Sequence, residues 1–238
     1  LILLLYIAKS NKKIMKKNIA IILAGGVGKR IGGECPKQFQ LIDNRMVIDY
    51  SIQIFLNHKS IDDIIIVSHE NWIDSLCESY PYINIIKGGA TRMESSYNGL
   101  KSCPPGTFNV LIHDGARPFI PKGVIQRSID LLQKHDAINL AIPVSDTVVI
   151  AKNSLIDTIL DRNQIFLSQT PQSFRYQTIF KAHKLSKQKD ASDDIQVARE
   201  LGIDCYNLEG SKSNIKITFP EDINMANNIL IKSNGTYK

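Results

Sequence analysis

The sequence predicts an α/β protein in which helices cover both faces of a mostly parallel sheet. Three observations lead there. Short apolar runs alternate with segments of helical period. The runs are continuous, without the polar alternation of a sheet that has one wet face. The first run breaks off into glycines, and open α/β sheets bind ligands at such strand ends. A length of 238 residues suits one large domain.

Ile19–Ala24 (IAIILA) is the first strand expected, followed by glycines. Val47–Leu56 carries Val47, Tyr50, Ile54 and Phe55 at the spacing of one helix face. Asp63–Ser68 (DIIIVS) and the short Asn84–Lys87 read as strands, and Arg92–Ser102 as a helix. Val110–His113 is a strand that runs into the turn Asp114-Gly115-Ala116-Arg117-Pro118. Val124–Lys134 is amphipathic, and Asn139–Pro143 is again a strand. After Pro143 the rhythm breaks. Thr147–Ala151 and Leu155–Leu160 predict a hairpin joined by Lys152-Asn153-Ser154, too short to form a core alone. Tyr176–Lys187 and Asp193–Leu201 read as helices, and Asp204–Leu208 and Asn214–Thr218 as strands. Pro220 suits the first turn of a last helix, Glu221–Ile231.

Hydrophobic residues make up 43% and charged residues 22%, which excludes a disordered or collagen-like chain. The net charge of +6 is concentrated in residues 1–17, which hold five lysines and no acid. Without them, 24 basic side chains face 23 acidic ones, so the body requires no nucleic-acid surface. The apolar run Leu1–Ala8 is too short to span a bilayer, and its basic stretch follows it instead of preceding it as in a secretory signal. Residues 1–17 are expected to form a flexible tail, with Met15 a natural start, and residues 233–238 a second one. No later window suits a membrane span, so a soluble, cytoplasmic body is expected. Cys35, Cys77, Cys103 and Cys205 are spaced as reduced thiols, not as a zinc site.

The strongest local signal is LAGGVGKRIGG at residues 23–33. It fits neither standard phosphate-loop pattern. The dinucleotide fingerprint starting at Gly26 and Gly28 has Ile31 at its third glycine, and a Walker loop would need glycine at Leu23 and a hydroxyl residue at Arg30. The loop offers cations instead: Lys29, Arg30 and, seven residues on, Lys37. Glycine with several cations suits a polyphosphate, whose charge must be neutralised where an oxyanion develops.

LAGGVGKRIG with CPKQF, then GGATRMESSYNGL, HDGARPF, DRNQIFLSQTPQSF and NIKITFPEDINMA form an ordered series from Ile19 to Leu230. The series resembles the cytidylyltransferases that activate polyol phosphates, comprising the 2-C-methyl-D-erythritol 4-phosphate and ribitol 5-phosphate groups. The resemblance implies a Rossmann-like nucleotidyltransferase, a three-layer sandwich over residues 18–232, with a β-hairpin dimerisation arm at 144–168. It implies CTP at the strand ends, Mg²⁺ as cofactor, a homodimer and no membrane or nucleic-acid partner. Carried over by motif, Ala24, Gly25, Gly26, Gly89, Arg92 and Ser95 line the nucleotide site, with Ser95 near cytosine or ribose. Arg30 and Lys37 contact the CTP phosphates, and Lys216 stabilises the reacting phosphoryl group. Asp114 serves the metal and substrate side with Arg117 beside it, and Thr147, Arg162 and Ser192 fall on the acceptor side.

The chemistry agrees with the residue types. An acceptor phosphate attacking the α-phosphorus of CTP brings two anions together, so positioning and charge neutralisation matter more than a protein nucleophile. No Ser-His-Asp set is expected, and His113 reads as a structural hydrogen-bonding residue. An Asp at the end of an apolar strand can hold a hard cation. Ser192-Asp193 replaces the Thr-Asp usual in the methylerythritol group, and Val148-Val149 lacks a basic residue frequent there. HDGARP, LDRN and FPEDINMA match that group, so methylerythritol phosphate is the favoured acceptor and ribitol phosphate the alternative. A nicotinamide-dependent oxidoreductase is disfavoured by Ile31 and the cations.

Overall fold

The computed structural model describes residues 16–26, 35–121, 123–188 and 190–233. Most of the expected N-terminal tail, the loop residues 27–34 with Lys29 and Arg30, and residues 234–238 lie outside these.

In chain order the elements begin with β1 (Lys17–Ala24), the two-residue strands β2 (Leu41–Ile42) and β3 (Arg45–Met46), α1 (Val47–Leu56) and β4 (Asp63–Ser68). Then come α2 (Ile73–Ser79), β5 (Asn84–Lys87), α3 (Arg92–Lys101), β6 (Thr107–Asp114), α4 (Val124–Leu131) and β7 (Ala137–Pro143). The hairpin β8 (Val149–Lys152) and β9 (Leu155–Ile159) follows, then β10 (Phe166–Arg175) and α5 (Tyr176–Leu185). The chain continues through α6 (Asp194–Glu200) and β11 (Cys205–Glu209) to α7 (Glu221–Lys232).

Seven strands form the main sheet in the order β11-β7-β10-β6-β1-β4-β5. All its pairings are parallel except those of β10, which runs antiparallel to β6 and β7. The period of two along β1 shows why the sheet is covered twice. Ala20, Ile22 and Ala24 enter one core with Ile48, Ile52 and Phe55 of α1 and Val124, Ile125 and Ile129 of α4. Ile19, Ile21 and Leu23 enter a second core with Met93 and Leu100 of α3, Ile179 of α5 and Val197 of α6. Each Ile, Leu, Val, Met or Phe side chain among these contributes about 1.5–3 kcal/mol when fully buried. A smaller third core joins Tyr50 and Phe119 to Ile217 and to Ala226 and Leu230 of α7. The three-layer arrangement expected from the sequence is present.

The sequence reading assigned no element at α2 or at the short β2 and β3, and two further segments differ from it. The segment Asn214–Thr218, expected as a strand, is irregular. Both edges of β6 are already occupied, by β1 and β10. The segment therefore crosses beyond the end of β6, with one backbone bond to the turn that follows it, Ile217 N–H to the Ala116 carbonyl at 2.8 Å, while Ile217 enters the third core. The second difference is β10, whose strand character was not anticipated. Pro171 lacks an N–H, and the pairing with β7 skips from Gln169 to Ser173 around it.

The expected hairpin forms as β8 and β9, and every one of its strand residues is exposed. Asn153 and Ser154 both take positive φ, 49° and 66°, the two-residue turn that matches strand twist. No helix among the described residues is long and apolar enough to cross a membrane.

Candidate active site

The carboxyl ends of β1, β4, β5 and β6 open onto one cavity of about 630 Å³. This is the switch point of the sheet, where the chain leaves β1 for β4 on one side and returns to β6 on the other. Its walls include Gly25, Gly26, Lys37, Gln38, His69, Gly89, Arg92, Ser95, Asp114, Ser192 and Lys216. Among the described residues the lining carries three cations, Lys37, Arg92 and Lys216, against one carboxylate, Asp114, so the cavity favours a polyanion.

Close backbone approach builds the nucleotide-side wall. A Cβ on Gly25 would stand 3.3 Å from Ser95 Oγ and 3.7 Å from Gly88 Cα, so glycine lets the β1 end lie against the 88–89 turn. Ser95 itself is buried. Its hydroxyl accepts from Gly89 N–H at 3.0 Å and donates to the Thr91 carbonyl at 2.9 Å, fixing that turn. Gln38, also buried, donates through Nε2 to the carbonyls of Ala24 at 2.7 Å and Gly26 at 2.8 Å, clamping the glycine segment. Ala24 thus contributes its backbone oxygen to the support.

Arg92 is placed by helix capping. Thr91 caps α3 by accepting from Glu94 N–H at 3.1 Å, which sets Arg92 as the first helical residue at the cavity rim. Arg92 Nε donates to Asp114 Oδ1 at 3.2 Å and NH1 to Asp194 Oδ2 at 2.8 Å, while its buried NH2 has no protein partner. Lys216 Nζ donates to Asp114 Oδ2 at 2.6 Å. Burial raises the Asp114 carboxyl, but Arg92 and Lys216 outweigh it and hold the group well below the usual carboxylate range. Burial opposes the Arg92 charge, and Asp194 with Asp114 more than offsets that, so the guanidinium stays charged.

Asp114 is the lining carboxylate suited to a divalent cation. Among the described residues no cluster of three His, Cys, Asp or Glu side chains forms a protein cage. Mg²⁺ commonly uses one or two carboxylates with substrate phosphates, so one carboxylate beside a polyanion cavity fits a cation that arrives on the phosphates.

The other expected site residues divide. Ser192 lines the cavity, its N–H and hydroxyl both directed to Gln196 Oε1 at 3.0 and 3.2 Å. Arg117 is not among the lining residues. It donates to the Asn214 carbonyl at 2.8 Å and so anchors the segment that carries Lys216. Thr147 and Arg162 are exposed on the arm, apart from their own chain's cavity, with Arg162 bonded to the Ser145 carbonyl at 3.3 Å. Arg30 lies outside the described residues. His113 is fully buried, bonded to the Arg117 carbonyl at 2.9 Å and to Thr170 Oγ1 at 3.0 Å, and burial lowers its pKa to about 4. It is a structural residue, as the sequence suggested. Sequence reasoning missed Gln38 and Asp194, although Gln38 lies inside the CPKQF motif.

Comparison with known proteins fits this geometry. The family model described as "IspD: 2-C-methyl-D-erythritol 4-phosphate cytidylyltransferase" matches residues 18–232. The chain belongs to this family. The 2-C-methyl-D-erythritol 4-phosphate cytidylyltransferase of Clostridium botulinum (strain Loch Maree / Type A3) is 40% identical over 228 residues, covering 92% of this chain and 99% of that protein. The Clostridioides difficile (strain 630) protein of the same name is 35% identical, covering 88% and 92%. The crystal structure of 4-diphosphocytidyl-2C-methyl-D-erythritol synthase from Anaerococcus prevotii DSM 20548 superposes with a TM-score of 0.81 at 30% identity, covering 91% of this chain and 96% of that one.

Proposed function

We propose that the protein transfers a cytidylyl group from CTP to 2-C-methyl-D-erythritol 4-phosphate and releases pyrophosphate. The observation that carries this reading is the three-cation cavity at the sheet switch point, in a chain of this family. An acceptor phosphate oxygen forms a bond to the α-phosphorus of CTP, and the α–β phosphoanhydride bond breaks as pyrophosphate leaves. Lys216, Arg92 and Lys37 neutralise charge that builds on the phosphoryl oxygens. Asp114 holds Arg92 and Lys216 in place and would also hold the divalent cation. A bound Mg²⁺ supplies further neutralisation of the phosphates. The Gly25–Gly26 and Gly88–Gly89 backbones take the nucleotide side.

The acceptor side is completed by a second copy of the chain. Leu155, Ile156 and Ile159 of the arm are 75%, 65% and 66% exposed, and large apolar side chains grouped on an exposed element favour a protein partner. Two-fold exchange of arms would cover them and carry Thr147 and Arg162 to the partner's cavity.

Following the reaction by ³¹P NMR tests the reading. Incubation with CTP, Mg²⁺ and the acceptor should produce inorganic pyrophosphate together with a new phosphodiester-type diphosphate pair. Hydrolysis of CTP without such a pair would contradict transfer.

A further inference from the structure

We propose that His183 is a positioning residue for this reaction: acting through Asp194, it fixes the guanidinium of Arg92 at the cavity wall. The inference rests on the cytidylyl-transfer reading for its kinetic part only.

Asp194 is fully buried at the first position of α6, where Asp193 caps the helix by accepting from Gln196 N–H at 2.9 Å. A buried carboxylate is tolerated only when its oxygens are satisfied. Here Oδ1 accepts from His183 Nε2 at 2.9 Å and Ser96 Oγ at 2.5 Å, leaving Oδ2 for Arg92 NH1 at 2.8 Å. The two donors on Oδ1 fix how the carboxylate plane is turned, and that plane sets where Oδ2 points.

His183 can hold that plane because it is itself held. Its side chain is buried on α5, and its ring lies parallel to that of Tyr97 of α3, with 5.8 Å between centroids and a 3° interplanar angle. Tyr97 in turn packs against Phe180. Arginine carries about 2 kcal/mol of rotamer entropy, so a guanidinium at a cavity wall needs fixed acceptors to stay in one place. Arg92 has two, Asp194 and Asp114, and Asp114 is shared with Lys216. The chain of contacts thus runs from an aromatic-packed imidazole on one side of the second core to two cations of the cavity. His183 touches none of the cavity-lining atoms assigned to the substrate, so its effect is transmitted.

The test compares His183→Leu with His183→Gln. The glutamine Nε2 stands near the place of the imidazole Nε2 and can still donate to Asp194 Oδ1; leucine cannot. Two readouts are taken. The first is the Arg92 Nε–H correlation in ¹⁵N-arginine-labelled protein, assigned by its loss in Arg92→Lys, and it needs no activity. The second is steady-state pyrophosphate release against CTP concentration. Losing one charge-assisted bond that positions a phosphate-facing cation should lower kcat/KM for CTP about 10-fold or more in the leucine variant. The Arg92 resonance should shift or broaden in that variant. The glutamine variant should stay within about 3-fold of wild type, with the wild-type resonance. If the leucine variant does not fold, His183→Met takes its place as the apolar replacement.

A leucine or methionine variant with wild-type kinetics overturns the proposal, whatever its spectrum. So does a glutamine variant as impaired as the apolar one, which would mark a purely packing role. Should the wild-type protein fail to transfer cytidylyl groups at all, the function reading fails. The Arg92 resonance then decides the relay alone: an unchanged resonance in the apolar variant overturns it, and a change rescued by glutamine supports it.

Discussion

Replacing Asp194 by asparagine removes one fully buried charge while keeping the side chain's shape. The wild-type carboxylate is opposed by burial, but Arg92 most of all, with His183 and Ser96, lowers its pKa from 3.8 to about 2. A lowered carboxylate pKa means stabilisation that is complete above the unfolded value, near pH 4, and is lost as pH falls through the folded value. The fall from 3.8 to about 2, at 1.36 kcal/mol for each tenfold change in acidity, amounts to about 2–3 kcal/mol at neutral pH. The variant also leaves Arg92 with Asp114 as its remaining carboxylate partner, and breaking a buried pair costs about 3–5 kcal/mol. The Arg92 side chain keeps 20% of its surface in solvent, which reduces that figure. The expected loss at pH 7 is therefore about 2–4 kcal/mol, or a fall of about 1 M in the urea midpoint. Equilibrium unfolding in urea at pH 7, 5 and 3 measures it. The gap between wild type and variant should narrow by about 1 kcal/mol from pH 5 to pH 3, as Asp194 of the unfolded wild-type chain takes up its proton while the folded carboxylate stays mostly ionised. A variant within about 0.5 kcal/mol of wild type at pH 7, or a gap that does not change with pH, would refute the electrostatic account of this site.

Three further outcomes are expected. Lys37→Ala should lower turnover about 100–1,000-fold, with a thermal midpoint near that of wild type, because it removes a cation from the cavity wall and little from the core; near-normal turnover at saturating CTP would contradict its role. The double variant Leu155→Glu and Ile156→Glu should sediment as a monomer with native circular dichroism, and a persistent dimer would show that the arm is not the interface. Lys37→Ala and Arg162→Ala, each nearly inactive, should regain about a quarter of wild-type activity when unfolded and refolded together, since random pairing leaves roughly half the dimers mixed with one intact site each. Activity at the single-variant background, in a sample shown to contain mixed dimers, would mean that the arm serves its own chain.

The parallel strands were legible because strands buried on both faces read as unbroken apolar runs, and Ile19–Ala24 and Asp63–Ser68 are such runs. The strand β10 was not legible for the opposite reason. Its buried residues include Gln169 and Gln172, which support neighbouring segments by hydrogen bonds, and Ser173, and these polar side chains lack an apolar signature. The irregular Asn214–Thr218 segment has strand-like residues, yet nothing in its sequence shows that both edges of β6 are taken. The cavity residues followed residue type: glycines at a strand end, then cations. Asp194 did not, because its role depends on Arg92, 102 positions away in the chain. Gln38 is uncharged, and its function is visible only once its amide is seen on two carbonyls of the glycine segment. Thr147 and Arg162 stand exposed on the arm, and a single chain gives them no substrate to touch.

The most direct test of the central claim measures initial rates of pyrophosphate release for CTP, UTP, ATP and GTP. Each is offered with 2-C-methyl-D-erythritol 4-phosphate or D-ribitol 5-phosphate, in Mg²⁺ and in excess chelator. The account predicts one dominant combination, CTP with methylerythritol phosphate in Mg²⁺, exceeding every other by at least about 100-fold, the range that a site built on buried hydrogen bonds reaches against a mismatched substrate. Equal rates with ATP, undiminished rates in chelator, or a preference for ribitol phosphate would contradict it.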